Sequence, residues 1–135
     1  MSRLAARRAA LQLLYEQMMG GSGGDETLLG LIGFHEDEQA DLQFIEALLQ
    51  GVEAHGAALD AEISTRSPSR ELSRIPLVTR AILRMALYEL MYLKDVPAPA
   101  VINEAVELSN RFAEDSDSRF INGVLGSFVR SQQQA

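Results

Sequence analysis

Arg3, Arg7 and Arg8 open the chain, Arg3 and Arg7 one helical turn apart, while Arg8, Gln12 and Tyr15 follow each other at i, i+4 and i+7. Guanidinium, amide and aromatic groups then line adjacent stripes of one helix, a surface chemistry suited to phosphates and bases. No acid stands four residues after any of the three arginines, those positions being Arg7, Leu11 and Gln12. Cations at a helix start face the positive end of the macrodipole, at a cost of roughly 0.3–1 kcal/mol each. An anionic ligand would convert that cost into binding, because phosphate meets both the arginines and the free N–H groups of the first turn. A frayed basic terminus, or pairing with the acidic stretch 36–62, is the alternative.

The other reactive side chains form no catalytic constellation. His35-Glu36-Asp37-Glu38-Gln39 begins like the zinc-protease H-E-x-x-H pattern, but Gln39 stands where the second imidazole is needed. His55 has no serine elbow or cysteine to serve and reads as structural. The glycine run 20–24 lacks the Gly-Lys-Ser/Thr ending of a phosphate loop. Acid pairs such as Asp25-Glu26 read as solvated faces or caps, since acid/base dyads need burial to separate their pKa values. No enzyme, no metal site and no cofactor are expected.

Composition sets the frame for these groups. A chain of 135 residues with 47% hydrophobic content has the length and apolar material of one domain. It contains no cysteine, which excludes disulfides and thiolate chemistry. The stretch 81–93 is interrupted by Arg84 and Glu89, so no membrane span is expected, and a cytoplasmic location follows. The net charge of −7 is strongly segregated: 16–63 holds eleven acids and no base, whereas 64–84 carries Arg66, Arg70, Arg74, Arg80 and Arg84 against Glu71.

The periodicity predicts only helices. Leu4, Leu11, Leu14, Tyr15 and Met18 define a first helix over 3–19, ended by the glycine run; a short helix is expected around 26–32. Leu42, Ile45, Leu48, Leu49 and Val52 mark another over 37–51, continuing through His55 to Arg66 after a weak point at Gly51 or Gly56. Ser67-Pro68-Ser69 breaks the chain at its midpoint, and Pro76 starts a helix to about Leu93 that is apolar nearly all round and hence central. After a proline-bounded turn at 96–99, Val101 to Phe112 and then a segment capped within 115–118 complete the set, with 132–134 a disordered tail.

Five blocks carry a family resemblance: Arg7-Arg8-Ala9-Ala10-Leu11-Gln12-Leu13-Leu14-Tyr15-Glu16; Thr79-Arg80-Ala81-Ile82-Leu83-Arg84-Met85-Ala86-Leu87-Tyr88-Glu89-Leu90; Val96-Pro97; Val101-Ile102-Asn103-Glu104-Ala105-Val106-Glu107-Leu108; and Arg119-Phe120-Ile121-Asn122-Gly123-Val124-Leu125. In that order over about 3–130 they resemble the NusB family. The resemblance implies an all-α bundle of about seven helices forming a single domain over 1–135, with packed subdomains at about 1–66 and 73–130. It implies a transcription antitermination factor that binds boxA-type single-stranded RNA together with NusE, a small-subunit ribosomal protein, acting on the elongation complex to support ribosomal RNA transcription. Some family members form homodimers.

Carried over by position, Arg3, Arg7, Gln12 and Tyr15 form one part of the RNA surface, beside Arg8, and Ser116, Arg119 and Phe120 another. Phe120 either stacks on an unpaired base or packs in the core. Thr79 and Arg80 stand at the helix end that the family turns toward NusE. Arg84 needs a carboxylate partner, Glu89 or Glu104 being candidates; Asn103 is expected to bond a helix terminus and Gly123 to permit close packing. The chain departs from the family where Ser109-Asn110 and Phe112-Ala113 replace an Ala-Lys pair and an aromatic-glycine helix end, and where Asp115 and Asp117 put acid beside the second patch. These departures imply weaker RNA binding without NusE. A protein-only helical adaptor, including a relative of the NusB-like domain fused to some RNA methyltransferases, is the competing reading; 135 residues have no room for both domains.

Overall fold

The structure, a computed structural model, describes residues 3–20 and 38–134. The expected helix at 26–32, the rest of the glycine run at 21–24, His35 and the acids of 25–37 lie outside the described residues. Among those described there are six α-helices and no strand: α1 (Arg3–Met18), α2 (Glu38–Ala54), α3 (Gly56–Arg66), α4 (Leu77–Tyr88), α5 (Ala98–Phe112) and α6 (Asp115–Gln133). A 3-10 turn at Leu72–Arg74 precedes α4, and a π-turn at Glu89–Leu93 widens its end.

The most continuously apolar helix takes the centre, as its sequence requires. Ala81, Ile82, Leu83, Met85, Ala86 and Leu87 are all buried, and α4 touches each of the other five helices. The alanines Ala6, Ala9 and Ala10 give α1 a flat buried face. Ile45 and Leu48 from α2, Leu59 and Ile63 from α3, Val101 and Leu108 from α5, and Ile121, Leu125 and Phe128 from α6 join one continuous core. Each fully buried Leu, Ile or Phe contributes about 1.5–3 kcal/mol. No helix among the described residues is long and apolar enough to cross a membrane.

Helix boundaries follow from local chemistry. Pro76 and Pro97, with extended ψ of 144° and 141°, precede α4 and α5, where a missing N–H costs nothing. The turn expected at 96–99 is therefore shorter, since Ala98 is already helical and Pro99 sits in the first turn. α5 ends at Ala113 in an extended conformation (φ −134°), so this chain closes the helix without the family's glycine. Asp115 and Asp117 in the first turn of α6 complement its dipole. Gln132 and Gln133 belong to α6 and not to a disordered tail; Phe128, packed in the core one turn earlier, anchors that end.

The break between α2 and α3 falls at His55, and Gly51 has a different use from the one expected. A Cβ on Gly51 would lie 2.0 Å from Cζ of Tyr88, so the glycine lets α2 cross α4 with the phenol ring against its backbone. His55 stacks on the Tyr92 ring at 3.9 Å between centroids, beside Tyr88 at 5.9 Å, which is a packing role. Gly123, by contrast, faces open space, so it permits no close helix contact.

Candidate nucleic-acid interface

The basic end of α1 divides into one buried and two accessible arginines. Arg7 is 3% exposed. Its Nε donates to Glu89 Oε2 at 2.7 Å, Nη2 pairs with Glu89 Oε1, and Nη1 pairs with Glu104 Oε2. Arg7 is therefore neutralised internally, which corrects the expectation that it stands uncompensated and meets RNA. Spacing along α1 could not reveal carboxylates 82 and 97 residues away. Arg7 also uses the two acids proposed for Arg84, which instead forks onto Asp60 at 2.8 and 2.6 Å.

Arg3 is exposed and lies over the Phe44 ring, its guanidinium carbon 3.9 Å from the centroid. Arg8 and Gln12 are exposed on the stripe that also carries Tyr15. These three side chains border a groove of about 270 Å³ with Leu11, Val78 and Phe112. Leu11 is buried and Val78 partly so, giving an apolar floor, while Tyr15 and Phe112 are 37% and 49% exposed. A cation, an amide and two aromatic rings around an apolar floor can hold a planar base and its phosphate. Phe112 was missed from sequence. Its only signal was an aromatic closing an amphipathic helix immediately before a polar turn, which reads equally well as core.

Phe112 also links the two expected patches, because α6 begins three residues later. Ser116 and Arg119 are exposed on the first turns of α6. Phe120 is partly buried against the core, with the Arg70 guanidinium 4.5 Å over its ring. Asp117 is buried and accepts a bond from Arg70 Nη2 at 3.2 Å, which removes its charge from the patch it was expected to crowd. Ser109 is buried and shares a 2.6 Å hydroxyl contact with Ser118, so the family's alanine position here ties α5 to α6. Asn103 is exposed and lines an open groove with Glu107, Arg119 and Asn122 instead of serving a helix end.

At the start of α4, Thr79 is 0% exposed and its hydroxyl has no hydrogen-bond partner among the described residues. Thr79 therefore cannot touch a protein partner in this conformation, a correction that follows from its facing the helix-packed side of α4. Arg80 is partly buried, with Nε enclosed and unbonded, and keeps the edge of that position accessible. No cluster of three or more His, Cys, Asp or Glu side chains suited to a metal occurs among the described residues.

The six described helices, packed around α4 and carrying a basic, aromatic-rimmed groove between α1 and α5, define an all-α protein, and the comparisons give its lineage. The NusB family model matches residues 4–130, so the chain belongs to the NusB family. It is 37% identical over 135 residues to the transcription antitermination protein NusB of Bacillus subtilis (strain 168), covering 100% of both chains. It is 34% identical over 134 residues to that of Clostridium acetobutylicum, covering 99% of each. Among solved structures it resembles T. maritima NusB, with a TM-score of 0.82 at 26% identity over 96% of this chain and 92% of that one. A further structure of the same fold, antitermination factors NusB and NusE in complex with dsRNA, gives a TM-score of 0.77 at 24% identity, covering 96% of each chain.

Proposed function

We propose that this chain is a non-catalytic antitermination factor that binds boxA-type single-stranded RNA together with NusE, within the transcription elongation complex, and so supports ribosomal RNA transcription in the cytoplasm. The observation that carries the reading is the groove of Arg8, Gln12, Tyr15 and Phe112, which offers a cation and two rings on a chain whose net charge is −7. Arg3 extends the surface along α1, and Ser116, Arg119 and Phe120 extend it along α6. Arg7 serves by fixing α1 and not by touching RNA. Arg80, without the buried Thr79, is the side chain offered to NusE at the start of α4. A relative of the same fold has been solved with NusE and double-stranded RNA, which supports the partnership. The chain break at 67–69 supports reading 1–66 and 73–130 as packed subdomains of one domain.

Labelled boxA RNA titrated with and without NusE across a salt series tests this reading. With about three to five phosphates contacted, log K should fall against log salt with a slope of about −2 to −3.5, and NusE should tighten binding. Arg3→Glu combined with Arg8→Glu should abolish it. RNA binding that survives this double change removes the proposed surface; binding of NusE with no RNA affinity under any condition favours the protein-only adaptor.

A further inference from the structure

Arg70 lies in the turn that follows α3, where its backbone N–H donates to the Ser67 carbonyl at 3.0 Å. Its guanidinium covers the Phe120 ring at 4.5 Å and makes a single-pronged bond of 3.2 Å to Asp117. Arg84, by comparison, grips Asp60 with two prongs at 2.6 and 2.8 Å. The Arg70 bond is longer than the roughly 2.7–2.9 Å of a tight charge-assisted contact, and the side chain is 32% exposed while Asp117 is buried. A loosely held, partly exposed cation therefore rests on an aromatic ring at the edge of the α6 patch.

We propose that Arg70 and Phe120 together form a nucleotide seat for single-stranded RNA: the ring takes an unpaired base, the guanidinium takes an adjacent phosphate, and Asp117 holds the guanidinium while the seat is empty. The inference rests on the RNA-binding reading above. In the free protein the Asp117 carboxylate stands in for phosphate. When RNA arrives, the guanidinium exchanges one prong on Asp117 for a fork on a phosphate, the geometry that arginine favours. The same movement uncovers the ring face for stacking. Asp117 gives up its cation in the exchange, a loss that its place in the first turn of α6 offsets in part, since the helix N-terminus stabilises an anion.

Arg70 also keeps the acid at the edge of the patch neutralised while RNA approaches. Asp117 is kept occupied until the ligand brings its own negative charge, and the exposed Arg119 lies one residue before Phe120 to draw the strand in.

The test is a salt series of titrations with a labelled boxA-type single-stranded RNA in the presence of NusE, on variants checked for folding by circular dichroism. Arg70→Gln should weaken binding and flatten the slope of log K against log salt by about 0.7, the loss of one phosphate contact on a single strand. Asp117→Asn, which frees the guanidinium, should tighten binding about two- to fivefold, the range of a partly exposed ion pair. Unchanged affinity and slope in Arg70→Gln, while Arg8→Ala still weakens binding, overturns the seat and leaves the RNA reading standing. Tighter binding by Arg70→Gln at an unchanged slope also overturns it, since Arg70 would then be only a cover. Absence of RNA binding by the unaltered chain overturns both. If Asp117→Asn does not fold, Arg70→Gln beside Arg70→Lys decides, with lysine expected to restore the slope but not the full affinity.

Discussion

The guanidinium of Arg7 on α1 forks onto the carboxylate of Glu89, 82 residues further along the chain, in the buried seam between α1 and the widened end of α4. Glu104 of α5 closes the cluster from a third element. Two carboxylates around one cation leave this site with a formal excess of negative charge, so the arginine cannot be spared.

Arg7→Met should accordingly destabilise the fold by about 3–5 kcal/mol, because it leaves Glu89 buried without a cation. Combining it with Glu89→Leu should recover much of that loss, since an apolar pair of similar volume avoids the desolvation cost. Urea denaturation of the two variants measures both effects; equal midpoints would show that the unpaired carboxylate is not what destabilises the single change.

Gly51→Ala should cost about 1–3 kcal/mol through overpacking, because the added methyl meets the ring of Tyr88 at 2.0 Å and that ring already lies against His55 and Tyr92. Shortening the ring partner, as in Tyr88→Val, should make the second change cheaper than it is alone. A thermodynamic cycle that closes additively would mean that the two residues do not press on each other.

Arg84 and Asp60 join α4 to α3 by two hydrogen bonds in a partly exposed setting. Either single alanine change should lower stability by about 1.5–3 kcal/mol, the scale of a hydrogen bond to a charged group. The double change should cost clearly less than the sum, and Glu89→Gln should leave this coupling untouched, which separates the Asp60 pairing from the one expected from sequence.

Phe112 and Arg8 border one groove but should fail differently. Phe112→Ala removes a stacking surface worth about 1–3 kcal/mol per base and should weaken RNA binding roughly tenfold with no change in salt dependence. Arg8→Ala should weaken binding and flatten the salt slope by about 0.7. Identical salt behaviour in the two variants would reject the division into ring and phosphate contacts.

Helices were legible because their signal is local. The apolar spacing of Leu4 to Met18 placed the end of α1 within one residue, and the all-round apolar character of 77–93 marked α4 as the centre. Pairings were not legible, because an ion pair between distant helices has no sequence period. The acid-free neighbourhood of Arg7 looked like an unmet charge, yet its partners arrive from α4 and α5. Arg84 was correctly expected to need a carboxylate, but several acids satisfied that demand on paper and only packing selects Asp60. Thr79 failed for a similar reason: on a helix that is apolar nearly all round, a small polar residue gives no indication of which side it occupies. Gly51 was read as a weak point since glycine breaks helices more often than it makes room for a ring.

The groove beside Tyr15 has walls that lie far apart in sequence, α1 supplying one side and Phe112 of α5 the other. A ribosome must therefore carry synthesis past α5 before this surface exists, since domains generally fold as units as they emerge. Until α5 has left the exit tunnel, the first helix carries Arg7 without Glu104 and Tyr15 without its counterpart. The growing chain is thus unable to capture RNA through this groove until α5 has emerged.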